Sequence, residues 1–383
     1  MLFRSHGPQQ RIPGPHREGI LPGYRNQQRG NRQDQPVPEP GAKFRDTRLP
    51  GKLIRVIPEP VSVVMPVRNE EPHLEAAVGR VLAQGYAGQL EVVIAVGPSS
   101  DRTREIADSL AATDDRVVVV DNPTGFTPAG LNLAIEAASH EIIVRVDGHA
   151  ELCPGYIATA VETLRATGAA NVGGLMDAQG RTPFEQAVAA AYNSHLGLGG
   201  GGFHLATTPA GPADTVFLGV FRRDVLKEVG GFDESLHRAQ DWELNYRLRR
   251  AGHLVWFTPE LRVVYRPRSS LRALARQFHL TGRWRREVIR RHPETASRRY
   301  LAPPAAVLGT GAGLGIGMTG VWLRRPWLAA MLVFPVLYLG FLVFATLTMR
   351  NVPAEARIRL PMVLATMHLA WGTGFLRGLP RRG

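Results

Sequence analysis

Cysteine and lysine are almost missing from this chain of 383 residues, and each absence narrows the classes of protein to consider. The one cysteine, Cys153, excludes an intramolecular disulfide and a zinc site built from thiolates. A chain without disulfides is typical of a reducing compartment such as the cytoplasm. The N-terminal residues also lack the apolar core of a secretory signal, so we expect no cleaved leader.

Arginine supplies nearly all of the positive charge. Only three of the 46 basic residues are lysine, and the formal net charge is +13. Such a charge favours anionic partners, among them lipid headgroups, nucleotide diphosphates and nucleic acids. The basic residues are spread over the N-terminal tail, the segment 262–299 and the ends of apolar segments. That spread favours a membrane surface over a nucleic-acid groove.

The composition changes along the chain and predicts four regions. Residues 1–55, rich in Arg, Gln, Pro and Gly, are typical of a disordered tail. An α/β domain is expected at 56–266 and a basic amphipathic segment at 267–299. Residues 300–378 contain the apolar segments and are expected to form a membrane region.

Apolar strands alternate with helical patterns in the α/β domain. The pattern predicts strands at 61–67, 90–96, 117–120 and 141–146, and helices at 70–84, 102–112 and 127–138. Helical spacing returns at 241–251 and is followed by a short predicted strand, 254–257. This alternation indicates a parallel sheet with helices on both faces. Ligands bind beyond the carboxyl ends of such strands, where the loops 67–70, 97–101 and 147–149 are expected to meet.

Three uncharged or weakly charged segments close the chain. Residues 326–349 carry no charge over 24 positions, which is long enough to span a bilayer. Residues 300–323 are also uncharged but rich in glycine, with Gly309, Gly313 and Gly317 at a spacing that permits close helix packing. Residues 360–376 are a shorter candidate. The arginine pairs at 324–325 and 381–382 favour two full spans at 326–349 and 360–376, with 300–323 re-entrant.

The segment before these, 268–292, has apolar residues at helical spacing among the seven arginines between Arg272 and Arg291. That pattern is typical of a helix lying in the bilayer interface, although an ordinary surface helix has the same pattern. The glycine-rich stretch 197–202 predicts a mobile loop that either closes over a substrate or merely connects two elements.

Two acidic residues are the candidate chemical groups. Asp147 directly follows the apolar run that ends at Val146, where a carboxylate would meet the sugar-diphosphate end of a nucleotide sugar. Asp241 begins a predicted helix further along the chain. It is a candidate general base, although a carboxylate there also serves as a helix N-cap.

Several motifs, in this order, resemble the inverting glycosyltransferases of family 2, which have the GT-A fold. They cover about 60–290: the strand 61–67 with Arg68-Asn69-Glu70-Glu71, the run 99–106 as S-x-D-x-T-x-E-I, 127–132, and 146–149. The last two are most similar to the branch that assembles bacterial exopolysaccharides of the succinoglycan type. The resemblance implies a nucleotide-sugar-binding, Rossmann-like and mostly parallel sheet followed by transmembrane helices.

The resemblance also implies roles for individual residues. The residues that it implies bind the sugar donor are Pro66, Arg68, Glu70, Asp101, Asn132 and Asp147. Asp147 and His149 match the D-x-D positions that hold Mn²⁺ or Mg²⁺, and Asp241 matches the catalytic base, with Glu243 as the alternative. Asp101 fits a helix N-cap at least as well as a donor contact.

Three features of the sequence depart from the family pattern. His149 replaces the last Asp of D-x-D, and imidazole suits Mn²⁺ better than Mg²⁺. Val96-Gly97 replaces the acidic residues that read the base, which leaves the donor base open. Gln277, Arg283 and Trp284 form a stretched Q-x-x-R-W, which favours transfer of one sugar over processive polymerisation.

The sequence therefore predicts a glycosyltransferase on the cytoplasmic side of a bacterial cell membrane, anchored by several spans. Its expected partners are a nucleotide-diphosphate sugar, a lipid-linked or glycan acceptor and the membrane, and no nucleic acid is expected. Two alternatives stay open: a membrane scaffold that keeps the fold without the chemistry, and a nucleic-acid-binding protein that uses the arginine-rich tail.

Overall fold

The computed structural model describes residues 58–198 and 201–380. The predicted tail at 1–55, and residues 199–200 of the glycine-rich stretch, lie outside the described residues. The strands are β1 Val61–Val67, β2 Leu90–Val96, β3 Val117–Asp121, β4 Ile142–Arg145, β5 Glu151–Leu152, β6 Asn171–Ala178, β7 Gly211–Pro212, β8 Phe217–Arg222 and β9 Val255–Tyr265. The helices are α1 Leu74–Leu82, α2 Thr103–Thr113, α3 Thr127–Ala137, α4 Tyr156–Thr167, α5 Pro183–Tyr192, α6 His195–Leu198, α7 Arg223–Glu228, α8 Gln240–Arg250, α9 Leu271–Arg291, α10 Ala302–Trp322, α11 Pro326–Ala329, α12 Val333–Thr348 and α13 Ala354–Arg377.

One mixed sheet organises the domain. Its order is β3-β2-β1-β4-β8-β6-β9-β5, with β7 paired to β9. The first four strands are parallel, β8 runs antiparallel between β4 and β6, and β6 and β9 are parallel. The predicted fold class, an α/β sheet of the GT-A kind with parallel strands and crossover helices, is confirmed.

The central strand β1 shows why these segments form a sheet. It lies between β2 and β4, and all of its residues except Pro66 are buried. Alternate side chains enter two separate apolar layers, with Val63 and Met65 on one face and Val64 on the other. A strand covered on both faces is apolar at nearly every position, which is why its sequence does not alternate, and the buried exception, Ser62, donates a hydrogen bond to Glu91.

Strand β9 is much longer than the predicted 254–257. It extends to Tyr265, and its pairing with β6 shifts between Gly173 and Leu175. Pro259 lies in the part of β9 that this shift leaves unpaired. Proline cannot donate to a strand ladder, so it hides the continuation of a strand from pattern analysis.

The amphipathic segment is a helix, α9, but it packs against protein. Leu274, Phe278 and Val288 are buried, and a methyl group added at Gly282 would lie 2.1 Å from the carbonyl oxygen of Trp371 in α13. The apolar face of α9 thus packs against α13, as expected of the alternative, an ordinary surface helix, and a position in the bilayer interface stays a prediction. Helix α13 contains the predicted span 360–376, and its Leu360, Val363 and Met367 belong to an apolar cluster shared with α5 and α9.

Helices α10 and α12 form a hairpin that turns at Arg324 and Arg325. Among the described residues, two helices are long and apolar enough to cross a membrane by length and composition alone, Arg298–Trp322 and Pro326–Thr348. The sequence had favoured 326–349 and 360–376, with 300–323 re-entrant. In the structure, 302–322 is one continuous helix and α13 is packed on the catalytic domain. Which of the three segments span a membrane stays a prediction.

Two of the three evenly spaced glycines of α10, Gly313 and Gly317, pack closely against the other arm of the hairpin, as their spacing predicted. A methyl group at Gly313 would lie 2.7 Å from the Cδ of Pro335, and one at Gly317 would lie 2.6 Å from the Cγ of Leu332. A methyl group at Gly320 would likewise lie too close to the backbone of Ala329. One at Gly309 would have no neighbour closer than 3.9 Å. Small residues therefore let the two arms of the hairpin approach closely.

Candidate active site

The loops that follow β1, β2 and β4 meet at the carboxyl edge of the sheet, as the alternation of strands and helices predicted. The backbone amide of Asn69 donates to the Oγ of Ser99 over 3.1 Å, and Ser100 donates back to the Oδ1 of Asn69 over 2.8 Å. Asn69 has a φ of 55°, the left-handed conformation that asparagine tolerates better than most residues. His149, from the third loop, joins Glu70 at 2.9 Å.

A cavity of about 580 Å³ opens at this edge. Its lining includes Pro66 of β1 and, from the loops after β1 and β4, Arg68, Glu70, Asp147 and His149. It also includes residues of α8 and α9, among them Asp241 and Trp242. The predicted base and most of the predicted donor-binding residues therefore line one cavity, although 94 positions separate Asp147 from Asp241 in the sequence.

Arg145 connects the two acidic residues. It is the last residue of β4, and its side chain is only 6% exposed. The Nη2 atom donates to the Oδ1 of Asp147 over 3.0 Å, and the Nη1 atom forms an ion pair with Asp241. One guanidinium thus holds a carboxylate of the β4 loop and a carboxylate of α8 together. Sequence analysis missed Arg145, although a charge inside an apolar strand signals a paired group.

Glu70 orients His149. The carboxylate of Glu70 accepts a hydrogen bond from the His149 ring, which raises the pKa of His149, while burial of the ring acts in the opposite direction. Because this bond engages Nδ1, the Nε2 atom of the ring is left to meet a ligand. A carboxylate that fixes one ring nitrogen is the usual arrangement behind a metal-binding histidine.

The donor set fits a divalent cation that takes part of its coordination from substrate. Among the described residues, no group of three or more His, Cys, Asp or Glu side chains forms a complete metal site. Asp147 and His149 offer one oxygen and one nitrogen ligand, a pair that suits Mn²⁺ better than Mg²⁺. A cation held by so few protein ligands completes its shell with phosphate oxygens and water.

Asp241 lies in the first turn of α8 and is 40% exposed at the cavity. The residue before the helix, Ala239, has a φ of 63°, a strained value for a residue with a Cβ. The helix dipole favours a carboxylate at this position. Glu243, the alternative base, is 3% exposed, pairs with Arg247 at 2.7 Å and does not line the cavity.

Two residues predicted to bind donor lie outside the cavity wall. Asp101 accepts hydrogen bonds from the backbone amides of Thr103, the first residue of α2, and Glu71, so it joins the start of that helix to the loop after β1. Asn132 is bonded in both directions to the backbone of Phe232, at 2.9 Å each way. Both therefore hold neighbouring loops in place.

Only some of the stretched Q-x-x-R-W residues reach the cavity. Gln277 and Trp284 line the cavity, whereas Arg283 donates to the carbonyl oxygen of Gly378 over 2.7 Å. The arginine of this helix that lines the cavity is Arg285.

Gly97, where the family often has an acidic residue, has no room for a side chain. A methyl group there would lie 2.9 Å from the Cα of Gly125, whose φ of 65° turns the neighbouring loop inward. The loop 122–126 thus occupies the space that a side chain at position 97 would need.

Comparison with known proteins agrees with this geometry. The family model "Glycosyl transferase family 2" matches residues 62–230. The chain is 36% identical over 321 residues to the succinoglycan biosynthesis protein ExoA of Rhizobium meliloti (strain 1021), covering 83% of this chain and 94% of that protein. It is 27% identical over 222 residues to the glycosyltransferase AglE of Haloferax volcanii, covering 57% and 71% of the two chains.

A solved structure has the same fold. The mannosyltransferase PcManGT from Pyrobaculum calidifontis, in complex with GDP-Man and Mn²⁺, superposes with a TM-score of 0.52 at 20% identity, covering 83% of this chain and 88% of that one. The similarity to ExoA over most of both chains confirms the branch that the motifs indicated. The chain belongs to glycosyl transferase family 2 and is a glycosyltransferase.

Proposed function

We propose that this glycosyltransferase moves one sugar from a nucleotide-diphosphate sugar to a lipid-linked or polysaccharide acceptor, with inversion, during exopolysaccharide assembly at the cell membrane. The observation that carries the proposal is the meeting of Asp147, His149 and Asp241 in one cavity. The relatives support it: ExoA is named for succinoglycan biosynthesis, and PcManGT was solved with GDP-Man and Mn²⁺.

The chemistry is a single displacement. Asp241 accepts the proton of an acceptor hydroxyl while that oxygen attacks the anomeric carbon. The bond between this carbon and the diphosphate breaks on the opposite face, so the configuration inverts and the nucleoside diphosphate leaves. A cation bound by Asp147 and His149 would offset the negative charge that builds up on the leaving diphosphate.

The hairpin Arg298–Thr348 supports membrane attachment. Between the arginines at its base and its tip, most of its large exposed side chains are apolar, and Trp322 and Trp327 near the turn are 81% and 70% exposed. Tryptophan is typical of the boundary between lipid and water. The two ends of the hairpin adjoin α9 and α13 of the catalytic domain, so a spanning hairpin would return to the side where that domain lies, which we assign to the cytoplasm of a bacterial cell.

The test is sugar release and transfer by membranes carrying the full chain, with UDP-, GDP- and dTDP-sugars and with Mn²⁺, Mg²⁺ or EDTA. We expect one nucleotide to be released in a metal-dependent reaction. Asp241→Asn should lower kcat by about 10²- to 10⁴-fold, because general base catalysis contributes about that much.

Asp214→Asn is the matched control, since Asp214 is 68% exposed and does not line the cavity. Equal activity of the Asp241→Asn variant and the wild type would refute the assignment of the base, whereas failure of every donor with the folded wild type would favour a scaffold. Activity that survives EDTA would refute the cation at Asp147 and His149.

A further inference from the structure

A second cavity, of about 670 Å³, lies where the hairpin joins the catalytic domain, and we call it the hairpin cavity. The catalytic domain contributes residues of α5 and α6 to its lining, together with Leu205 and Thr207. The hairpin contributes the end of α12, and residues 349–353 lead from there to α13. Among the described residues, none lines both this cavity and the one that contains Asp147 and Asp241. The hairpin cavity is therefore built from residues that the chemistry above does not use.

The hairpin cavity lies at the end of a candidate membrane span. The span Pro326–Thr348 ends at Thr348, which lines the cavity, and Arg350 is the first charged residue after it. Residues that directly follow a spanning helix lie at the level of the lipid headgroups. A hairpin inserted in a membrane would therefore place the cavity among the headgroups of the leaflet that faces the catalytic domain.

The charge of the cavity is positive and uncompensated. Among the described residues that line it, Arg350 carries a positive charge and none is Asp or Glu. The ion pairs of the described residues include neither Arg350 nor His195, the other lining residue that can become positive. Neutral polar side chains, among them Gln186 and Asn351, also line the cavity. This set of groups suits a phosphate, whose oxygens accept hydrogen bonds from guanidinium, imidazole and amide groups.

Exposed apolar side chains continue from the cavity along the hairpin. Phe344 and Leu347, in the last turns of α12, are 59% and 68% exposed. A soluble anion bound at Arg350 would leave these side chains bare, whereas a phospholipid has apolar chains that cover them. Apolar burial and attraction between arginine and an anionic headgroup both strengthen the binding of a lipid. The combination selects an anionic phospholipid over a free phosphate or a nucleotide.

We propose that the hairpin cavity binds the headgroup of an anionic phospholipid, with its phosphate at Arg350 and His195 and its acyl chains along Phe344 and Leu347. The inference rests on the membrane attachment in the proposed function, and it is separate from sugar transfer. Because the lining comes from both the catalytic domain and the hairpin, one bound lipid holds the two together at the membrane surface.

The experiment is equilibrium binding of radiolabelled phosphatidylglycerol to the full chain in dodecyl maltoside, with phosphatidylcholine of the same acyl chains as the zwitterionic probe. We expect phosphatidylglycerol to bind at least tenfold more tightly. Arg350→Gln should weaken its binding by about tenfold to a hundredfold, as expected when a charge-assisted hydrogen bond is lost. His195→Gln should weaken it by about threefold to tenfold, since an uncharged hydrogen bond contributes less.

Arg298→Gln is the matched control. Arg298 begins the other candidate span, so it lies at the same end of the hairpin as Arg350, and it is exposed but does not line the cavity. We expect this variant to bind phosphatidylglycerol as the wild type does. Equal losses in Arg298→Gln and Arg350→Gln would show that general surface charge attracts the lipid, which overturns the inference.

Competing ligands identify the source of the phosphate. Inorganic phosphate at the concentration of the lipid should leave the binding unchanged, because it lacks the apolar chains. Displacement by inorganic phosphate would indicate a site for small anions, and equal binding of phosphatidylcholine would indicate general contact with lipid; each result overturns the inference. Circular dichroism confirms that each variant is folded, and if Arg350→Gln does not fold, His195→Gln compared with Arg298→Gln decides.

Because binding needs no turnover, this result is independent of the donor panel. Failure of every donor would remove the proposed transfer and leave a lipid site standing. Intact transfer, together with unchanged binding of phosphatidylglycerol in Arg350→Gln and His195→Gln, would remove only the lipid site.

Discussion

Arg145 is the residue on which the geometry of the site depends most. Its guanidinium is buried at the end of β4 and reaches both Asp147 and Asp241. These carboxylates are 27% and 40% exposed, so each keeps a free side toward the cavity. Because the arginine fixes the carboxylate of the proposed base from behind, we regard it as a positioning residue for Asp241.

Replacing Arg145 by lysine tests this role. A lysine ammonium keeps the charge but lacks the planar fork that serves two carboxylates at once. We expect Arg145→Lys to lower kcat by about 10- to 100-fold, the range typical of residues that orient a catalytic group, with a smaller change in the KM for donor. Steady-state kinetics of donor hydrolysis and transfer measure the effect.

Arg104→Lys is the control, since Arg104 makes only exposed ion pairs with Asp108 and Asp121. Rescue of the lost activity by lysine, with Arg145→Gln inactive, would mean that charge alone matters and that the fork positions nothing.

At the scale of elements, the contact between α9 and α13 determines which helices belong to the catalytic domain. Two glycines make it possible: Gly282 of α9 faces Trp371, and Gly374 of α13 faces His279. A methyl group at Gly374 would lie 2.0 Å from the carbonyl oxygen of His279, which is backbone and cannot rotate away. The closeness of this contact explains why helices rich in arginine still bury an apolar face.

Gly374→Ala should therefore destabilise the protein by about 1–3 kcal/mol, the usual cost of forcing atoms into a packed interface. Gly79→Ala is the matched control in α1, where an added methyl group meets nothing within 4 Å. We expect that control to stabilise by about 0.5–1 kcal/mol through helix propensity. Thermal unfolding in detergent compares the two, and equal effects would show that α9 and α13 do not pack as described.

At the scale of the whole molecule, the hairpin is the part that the catalytic domain does not cover. In its two candidate spans, only 17% and 11% of the most apolar stretch of 18 residues is buried inside the molecule. Such helices expose a continuous apolar surface that lipid would cover. The tip carries Arg324 and Arg325, so full insertion places two positive charges on the far side, against the usual bias.

Cysteine labelling tests the insertion. In a Cys153→Ser background, a cysteine placed by Trp322→Cys at the tip should react with an impermeant maleimide added to intact cells. A cysteine placed by Ser109→Cys in the exposed part of α2 should react only after lysis. Protection of the tip in intact cells, with labelling after lysis, would instead place the hairpin flat on the cytoplasmic face.

The sequence by itself determined the order of strands and helices from β1 to β4, because their apolar periods are long and uninterrupted. It also determined the loops that meet at the sheet edge. Through the family motifs it predicted Asp147, His149 and Asp241, which line one cavity in the structure. The close glycine packing of the hairpin followed from spacing alone.

Tertiary structure decided what depends on contacts between distant segments. The pairing of Arg145 with Asp241 and the structural roles of Asp101 and Asn132 join residues whose neighbours no local pattern specifies. The placement of α13 is the clearest case. Its apolar face has the same composition whether it meets lipid or protein, and only the close approach of α9 assigns it to the catalytic domain.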